Sequence, residues 1–203
     1  MTLSQDQGVS LVRYARCVIE SYYQNKSPSV PENLIDVFQE NRGVFVTLQR
    51  HPSHDLRGCI GFSEPIFKLG VAVTKAALAA ALEDPRFPSV EESELGNLTI
   101  EVSVLTVPEE VKVDKPQDYV KEIVIGRDGL IVEYGMFKGL LLPQVPVEWK
   151  WEVEEFLSHT CMKAGLLADD WLAKPIKLYK FSAQIFSEKE PKGEVAEKEI
   201  GEE

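Results

Sequence analysis

The 203-residue chain has three cysteines, three histidines and no apolar run near the roughly 18 residues that a membrane-spanning helix needs. Each scarcity excludes something. Cys17, Cys59 and Cys161 are odd in number and far apart, which makes a poor disulfide framework. His51, His54 and Cys59 read H-x2-H-x4-C, chemically acceptable as zinc ligands, but the spacing matches no common paired-ligand pattern and a fourth ligand is missing. No metal and no cofactor are therefore expected. Positive charge is also short: 22 lysines and arginines face 33 acidic residues, a net charge of −11 that repels nucleic-acid phosphate. A nucleic-acid-linked regulatory role ranks last on that ground. The first eight residues have neither the basic start nor the apolar stretch of a signal peptide, so a cytoplasmic protein with no membrane association is expected. No serine sits in a G-x-S-x-G setting, and Gly126-Arg127-Asp128-Gly129 lacks the lysine and following helix of a phosphate loop.

What the chain does have is enough apolar residue, 44%, to bury a substantial core without staples. Ser4 with Gln7 predicts a capping box for a helix to about Asn25, whose apolar stripe is Val9, Val12, Ala15, Val18, Ile19 and Tyr22. Gly43 opens a strand over 43–50, and the turn at 51–55 returns the chain as a second strand, a β-hairpin. An alanine-rich helix is expected over 65–83, opened by Pro65 and ended by Asp84-Pro85. Alternation predicts a strand at 98–107, with Glu101 in its middle, short strands at 123–125, 130–135 and 139–145, and a last strand over 176–186. A helix at 151–164 carries Phe156, Leu157, Thr160, Cys161 and Ala164 on one stripe. Strand groups interspersed with helices, without a regular βαβ repeat, give an α+β fold. Residues 188–203 hold seven glutamates and three lysines and few apolar residues, so a disordered acidic tail is expected there. Trp149, Trp151 and Trp171 are expected to anchor core and edges, although they could line a recognition surface.

The strongest candidate for a site is Leu56-Arg57-Gly58-Cys59-Ile60-Gly61. In a regular strand Arg57 and Cys59 share one face while Leu56, Ile60 and Phe62 hold the other against a core. Gly58 and Gly61 leave gaps of the kind found where a bulge forms or a ligand approaches. A neighbouring arginine raises a thiol's thiolate fraction, which makes Cys59 a candidate nucleophile and Arg57 its activator. The bland alternative is a small buried cysteine beside an ion-paired arginine. Of the candidate bases, His51 and His54 sit on the hairpin turn, His159 is on a distant helix, and Glu101 is a mid-strand carboxylate.

This hexapeptide resembles the signature of the AMMECR family, named for the Alport syndrome, mental retardation, midface hypoplasia and elliptocytosis chromosomal region. The likeness continues through Gly43–Leu48, Asp84-Pro85-Arg86-Phe87-Pro88, Ile100–Leu105, Gly139-Leu140-Leu141-Leu142-Pro143-Gln144-Val145 and the segment from Glu155 to Leu166, which is similar to the prokaryotic and archaeal branch. The resemblance implies one domain over 1–187, followed by the acidic tail at 188–203. It further implies an α/β sandwich, an antiparallel-rich sheet flanked by helices, with a smaller subdomain and a cleft near the signature. It adds Arg86 and Gln144 to Gly58 and Gly61 as candidate binding residues. A Memo-like protein or a radical S-adenosylmethionine (radical-SAM) enzyme is the partner it implies. Two classes of function follow: an enzyme or enzyme subunit using Cys59 on a small-molecule or peptide substrate, or a non-catalytic module that binds such a partner.

Overall fold

The computed structural model describes residues 2–198. They form two compact units: residues up to Leu105 together with Gln184–Lys198, and Thr106–Ala183.

In the first unit, helix α1 (Gln5–Tyr23) begins with the capping box expected from Ser4 and Gln7, each side chain accepting the other residue's backbone N–H. Its buried stripe, Leu11, Val12, Ala15, Val18 and Ile19, is fixed by packing. Fully burying one aliphatic side chain of this size contributes about 1.5–3 kcal/mol, more than any single helix propensity. The five-stranded sheet runs in the order β2 (Leu56–Phe62), β1 (Val44–Arg50), β3 (Leu98–Leu105), β8 (Ala183–Glu188) and β9 (Val195–Lys198). Strands β1 (Val44–Arg50) and β2 (Leu56–Phe62) form the expected hairpin, and β1 pairs antiparallel with β3 (Leu98–Leu105) on its other side. Val44, Val46 and Leu48 of β1 and Leu98, Ile100, Val102 and Val104 of β3 are buried in the core shared with the helices.

Helix α2 (Leu69–Leu82) starts four residues later than Pro65 suggests. Its alanines at 72, 76, 77, 80 and 81 are buried, and their small side chains let the helix backbone approach the sheet closely.

The expected disordered tail is corrected for residues 188–198. Strand β8 (Ala183–Glu188) pairs antiparallel with β9 (Val195–Lys198), and Phe186 and Val195 enter the core. Glu188 is buried against Arg16, whose Nε and Nη2 lie 2.7 and 2.5 Å from its two oxygens, and it also accepts the Ile100 N–H at 3.0 Å. Counting charge along the segment missed this because the decisive glutamate is neutralised by a helix 172 residues away. The rest of the expected tail, 199–203, lies outside the described residues.

The second unit is a four-stranded antiparallel sheet in the order β4-β7-β5-β6, formed by β4 (Glu109–Glu110), β5 (Gly129–Tyr134), β6 (Phe137–Leu141) and β7 (Lys177–Phe181). Short helix α3 (Tyr119–Glu122) precedes β5, α4 (Gln144–Glu148) follows β6, and α6 (Asp170–Ala173) precedes β7. Helix α5 (Val153–Lys163) presents Phe156, Leu157 and Cys161 to a core containing Leu130, Val132 and Leu178.

Three expected strands differ in the structure. Residues 123–125 form no strand and lead into a turn at 125–127, with the Asp128 carboxylate accepting the Val124 N–H. The strand expected over 139–145 ends at Leu141, since Pro143 has no N–H to give a ladder and Gln144 begins a helix. The single strand expected over 176–186 is two, β7 and β8, in different sheets; the break is Ser182, whose N–H donates to Thr106 Oγ1 at 2.9 Å.

Candidate functional site

Strand β2 lies at the edge of its sheet, and Cys59 sits opposite Thr47, which in turn sits opposite Glu101. The three side chains therefore form one row across β2, β1 and β3 on the face opposite Val46 and Leu48. The Thr47 hydroxyl donates to Cys59 Sγ at 3.2 Å. Glu101 is mostly buried and pairs with Lys198 Nζ at 3.0 Å. Neighbouring strands are about 4.8 Å apart, so Glu101 stands roughly 10 Å from Cys59 at the backbone and does not touch the thiol.

The Cys59 backbone is held from the open edge. Its N–H donates to Asp84 Oδ2 at 2.8 Å, and its carbonyl accepts from Arg86 Nη2 at 3.2 Å. With both groups turned outward, Cys59 and Thr47 form a non-hydrogen-bonded antiparallel pair, the kind in which side chains come closest. Asp84 is buried and also accepts the Arg86 N–H at 3.1 Å and its guanidinium at 2.6 and 2.9 Å. The Arg86 guanidinium, with the two backbone N–H groups, holds the Asp84 carboxyl far below the usual carboxylate range despite burial. The 84–86 segment thus caps the exposed edge at the cysteine.

Arg57 departs from expectation. The β1–β2 register shifts there, with Gly58 opposite Leu48 and Leu56 opposite Gln49, which leaves Arg57 as the extra residue of a bulge. The bulge breaks the alternation, so the shared Arg57–Cys59 face does not form and Leu56 is exposed instead of entering the core. The Arg57 guanidinium is 2% exposed, bound to both Glu94 oxygens at 2.9 and 2.8 Å and to the Pro88 carbonyl at 2.9 Å. Glu94, by hydrogen bond and charge, raises the pKa of Arg57 and is itself lowered by it. All three guanidinium nitrogens point to the 88–94 segment.

The two glycine gaps are filled from within. A Cβ on Gly58 would lie 2.1 Å from the Ala80 carbonyl oxygen, so this glycine admits the α2 backbone. A Cβ on Gly61 would meet the Phe45 ring at 2.5 Å and the Val44 carbonyl at 2.3 Å. Phe45 is its cross-strand partner, an aromatic lying over a strand glycine.

The remaining expected residues disperse. His51 and His54 sit on the exposed hairpin turn with ring centroids 6.5 Å apart. His159 belongs to the second unit and stacks on Trp151. Gln144 opens α4 in the second unit and is half-buried. Among the described residues no group of three or more His, Cys, Asp or Glu side chains is placed to hold a metal ion. All three cysteines are free. Burial pushes the Cys161 thiol up to about 11, while Cys59 is only half-buried.

Thr47, Asp84 and Glu94 were not anticipated. Thr47 meets the cysteine only because of the bulge, since a regular register from Gln49 opposite Leu56 would put Gly58 there; Asp84 read only as a helix end, and its bond to Cys59 spans 25 residues.

Fold and site define an α+β protein with two antiparallel sheets and a clamped cysteine on an edge strand. The chain belongs to the AMMECR1 family, whose model matches residues 12–186. It is 54% identical over 198 residues to a protein of Methanocaldococcus jannaschii and 51% identical over 202 residues to one of Thermococcus onnurineus, covering 98% of each chain in both cases. The crystal structure of an uncharacterized protein from Pyrococcus horikoshii has the same fold, with TM-score 0.81 and 49% identity, covering 98% of this chain and 99% of that one. No helix among the described residues is long and apolar enough to cross a membrane.

Proposed function

We propose that the protein acts, as an enzyme or enzyme subunit, through Cys59 as a nucleophile toward a small-molecule or peptide substrate in the reducing cytoplasm. The observation that carries this reading is the Thr47 hydroxyl donating to a half-buried sulfur at 3.2 Å, on a strand whose backbone is held at that residue by Asp84 and Arg86. The hydrogen bond from Thr47 orients the sulfur, and a rigid strand keeps the attack direction constant. The sulfur attacks an electrophilic carbonyl carbon, a C–S bond forms, the leaving group departs with its electron pair, and the thiol proton passes to solvent or to that group. The Glu101–Lys198 pair, too distant to act on the thiol, offers a charged anchor for the far end of a substrate lying along the row.

A strand that offers its backbone to a Memo-like or radical-SAM partner is the weaker reading. The outward peptide groups of Cys59 are already bonded to Asp84 and Arg86, and the glycine gaps are filled by Ala80 and Phe45. A nucleic-acid role is weaker again on charge.

The test is acetyl transfer from p-nitrophenyl acetate. A burst of nitrophenolate, with an acetyl adduct on the Cys59 peptide by mass spectrometry and both lost in Cys59→Ser, supports the reading. Acetylation of Cys59 no faster than of Cys17 contradicts it.

A further inference from the structure

The second unit carries an aromatic stack that the Cys59 site does not use. Trp149 and Trp151 have ring centroids 6.2 Å apart and planes 21° from parallel, and Trp151 lies on His159 at 3.8 Å with planes 2° apart. Trp149 is 68% exposed, whereas Trp171 is buried, as an anchoring tryptophan should be.

The backbone holds this arrangement. Helix α4 ends in a Schellman turn: Lys150 N–H donates to the Val147 carbonyl at 3.2 Å and Trp151 N–H to the Pro146 carbonyl at 2.8 Å. Lys150 takes the left-handed position, φ 56°, which glycine usually fills. That turn brings residues two apart in sequence into ring contact and leaves the first indole in solvent.

The charge in the segment carrying the stack is mostly negative. Between residues 144 and 159 stand Glu148, Glu152, Glu154 and Glu155, all exposed, against the single cation Lys150. Glu152 and Glu155 are partly engaged in the capping box of α5, which leaves Glu148 and Glu154 as freer carboxylates. An indole face is itself negative and attracts cations, and carboxylates beside it add to that attraction. A nucleobase could also stack on the indole, but its phosphates would meet these carboxylates.

We infer that the Trp149 face, with its neighbouring glutamates, is a docking platform for a basic segment of a protein partner, whose arginine or lysine side chain lies on the indole. The argument is independent of Cys59 chemistry.

The experiment titrates the full chain with a tetra-arginine peptide, followed by tryptophan fluorescence and calorimetry, with a short oligothymidylate as comparison. Saturable peptide binding is expected, weakened about fivefold by Trp149→Leu and also weakened by Glu148→Gln with Glu154→Gln. Trp149 is solvent-exposed, so an unchanged circular dichroism spectrum is expected in Trp149→Leu. Absence of peptide binding, equal binding by Trp149→Leu, or tighter binding of the oligothymidylate overturns the proposal; the second outcome would mean bulk charge attraction alone.

Discussion

The backbone N–H of Cys59 donates to the Asp84 carboxylate at 2.8 Å, so a residue just beyond α2 sets the position of the cysteine on the edge strand. Asp84 in turn depends on Arg86, whose guanidinium is half-exposed while the carboxylate is buried. This relationship makes the cysteine's placement sensitive to acid.

The carboxyl of Asp84 is lowered in the folded chain relative to an ordinary value of about 3.9. Between the folded and unfolded values the unfolded chain binds more protons, so stability rises with pH. The contribution is therefore fully present above about pH 4 and is lost as pH falls through the folded value. Asp84→Asn should be less stable than the parent at pH 7 by about 1–3 kcal/mol, with the difference shrinking toward pH 2. Urea unfolding at several pH values checks this.

Arg57→Met should destabilise the first unit by about 2–4 kcal/mol, because Glu94 and the Pro88 carbonyl lose their partner. Arg57→Lys should recover little, since one ammonium cannot reproduce the bidentate fork. Thermal unfolding monitored by circular dichroism measures both. Unfolding temperatures of Arg57→Met and Arg57→Lys equal to the parent's would contradict the buried-pair assignment.

Gly58→Ala should cost at least about 1–3 kcal/mol, as the added methyl meets a backbone carbonyl at 2.1 Å and only movement of α2 relieves it. Gly61→Ala meets both the Val44 carbonyl and the Phe45 ring, and the double change Gly61→Ala with Phe45→Ala should still be destabilised because the carbonyl stays. Denaturant midpoints of these variants decide it.

Glu188→Gln should lower stability by about 2–4 kcal/mol, since buried Arg16 loses its close counter-charge and keeps only the longer pair to Glu20 at 3.8 Å. A chain ended after Ser187 should show the same loss or more. Residue 188 is thus part of the folded unit, and the measurement is again the unfolding midpoint.

Local pattern reached the capping box of α1, the β1–β2 hairpin, the buried face of β3 and the stripe of α5, because each follows from spacing within one element. It did not reach contacts that tertiary structure makes. The Arg57 bulge, the Asp84–Cys59 bond and the Arg16–Glu188 pair join residues that no short window contains. Cys59 was legible as a candidate through the glycines beside it, yet those glycines accommodate Ala80 and Phe45. Glu101 was legible as a mid-strand carboxylate, and only the register places it on the Thr47–Cys59 row, one strand beyond Thr47.

The central claim is that Cys59 is an accessible, positioned thiol, and native-state alkylation tests it most directly. Iodoacetamide labelling at pH 7.5, read peptide by peptide, should modify Cys59 in the folded chain, leave buried Cys161 untouched until denaturant is added, and slow severalfold at Cys59 in Thr47→Val. Labelling of Cys59 only on unfolding, in step with Cys161, would contradict the account and make it a packing residue.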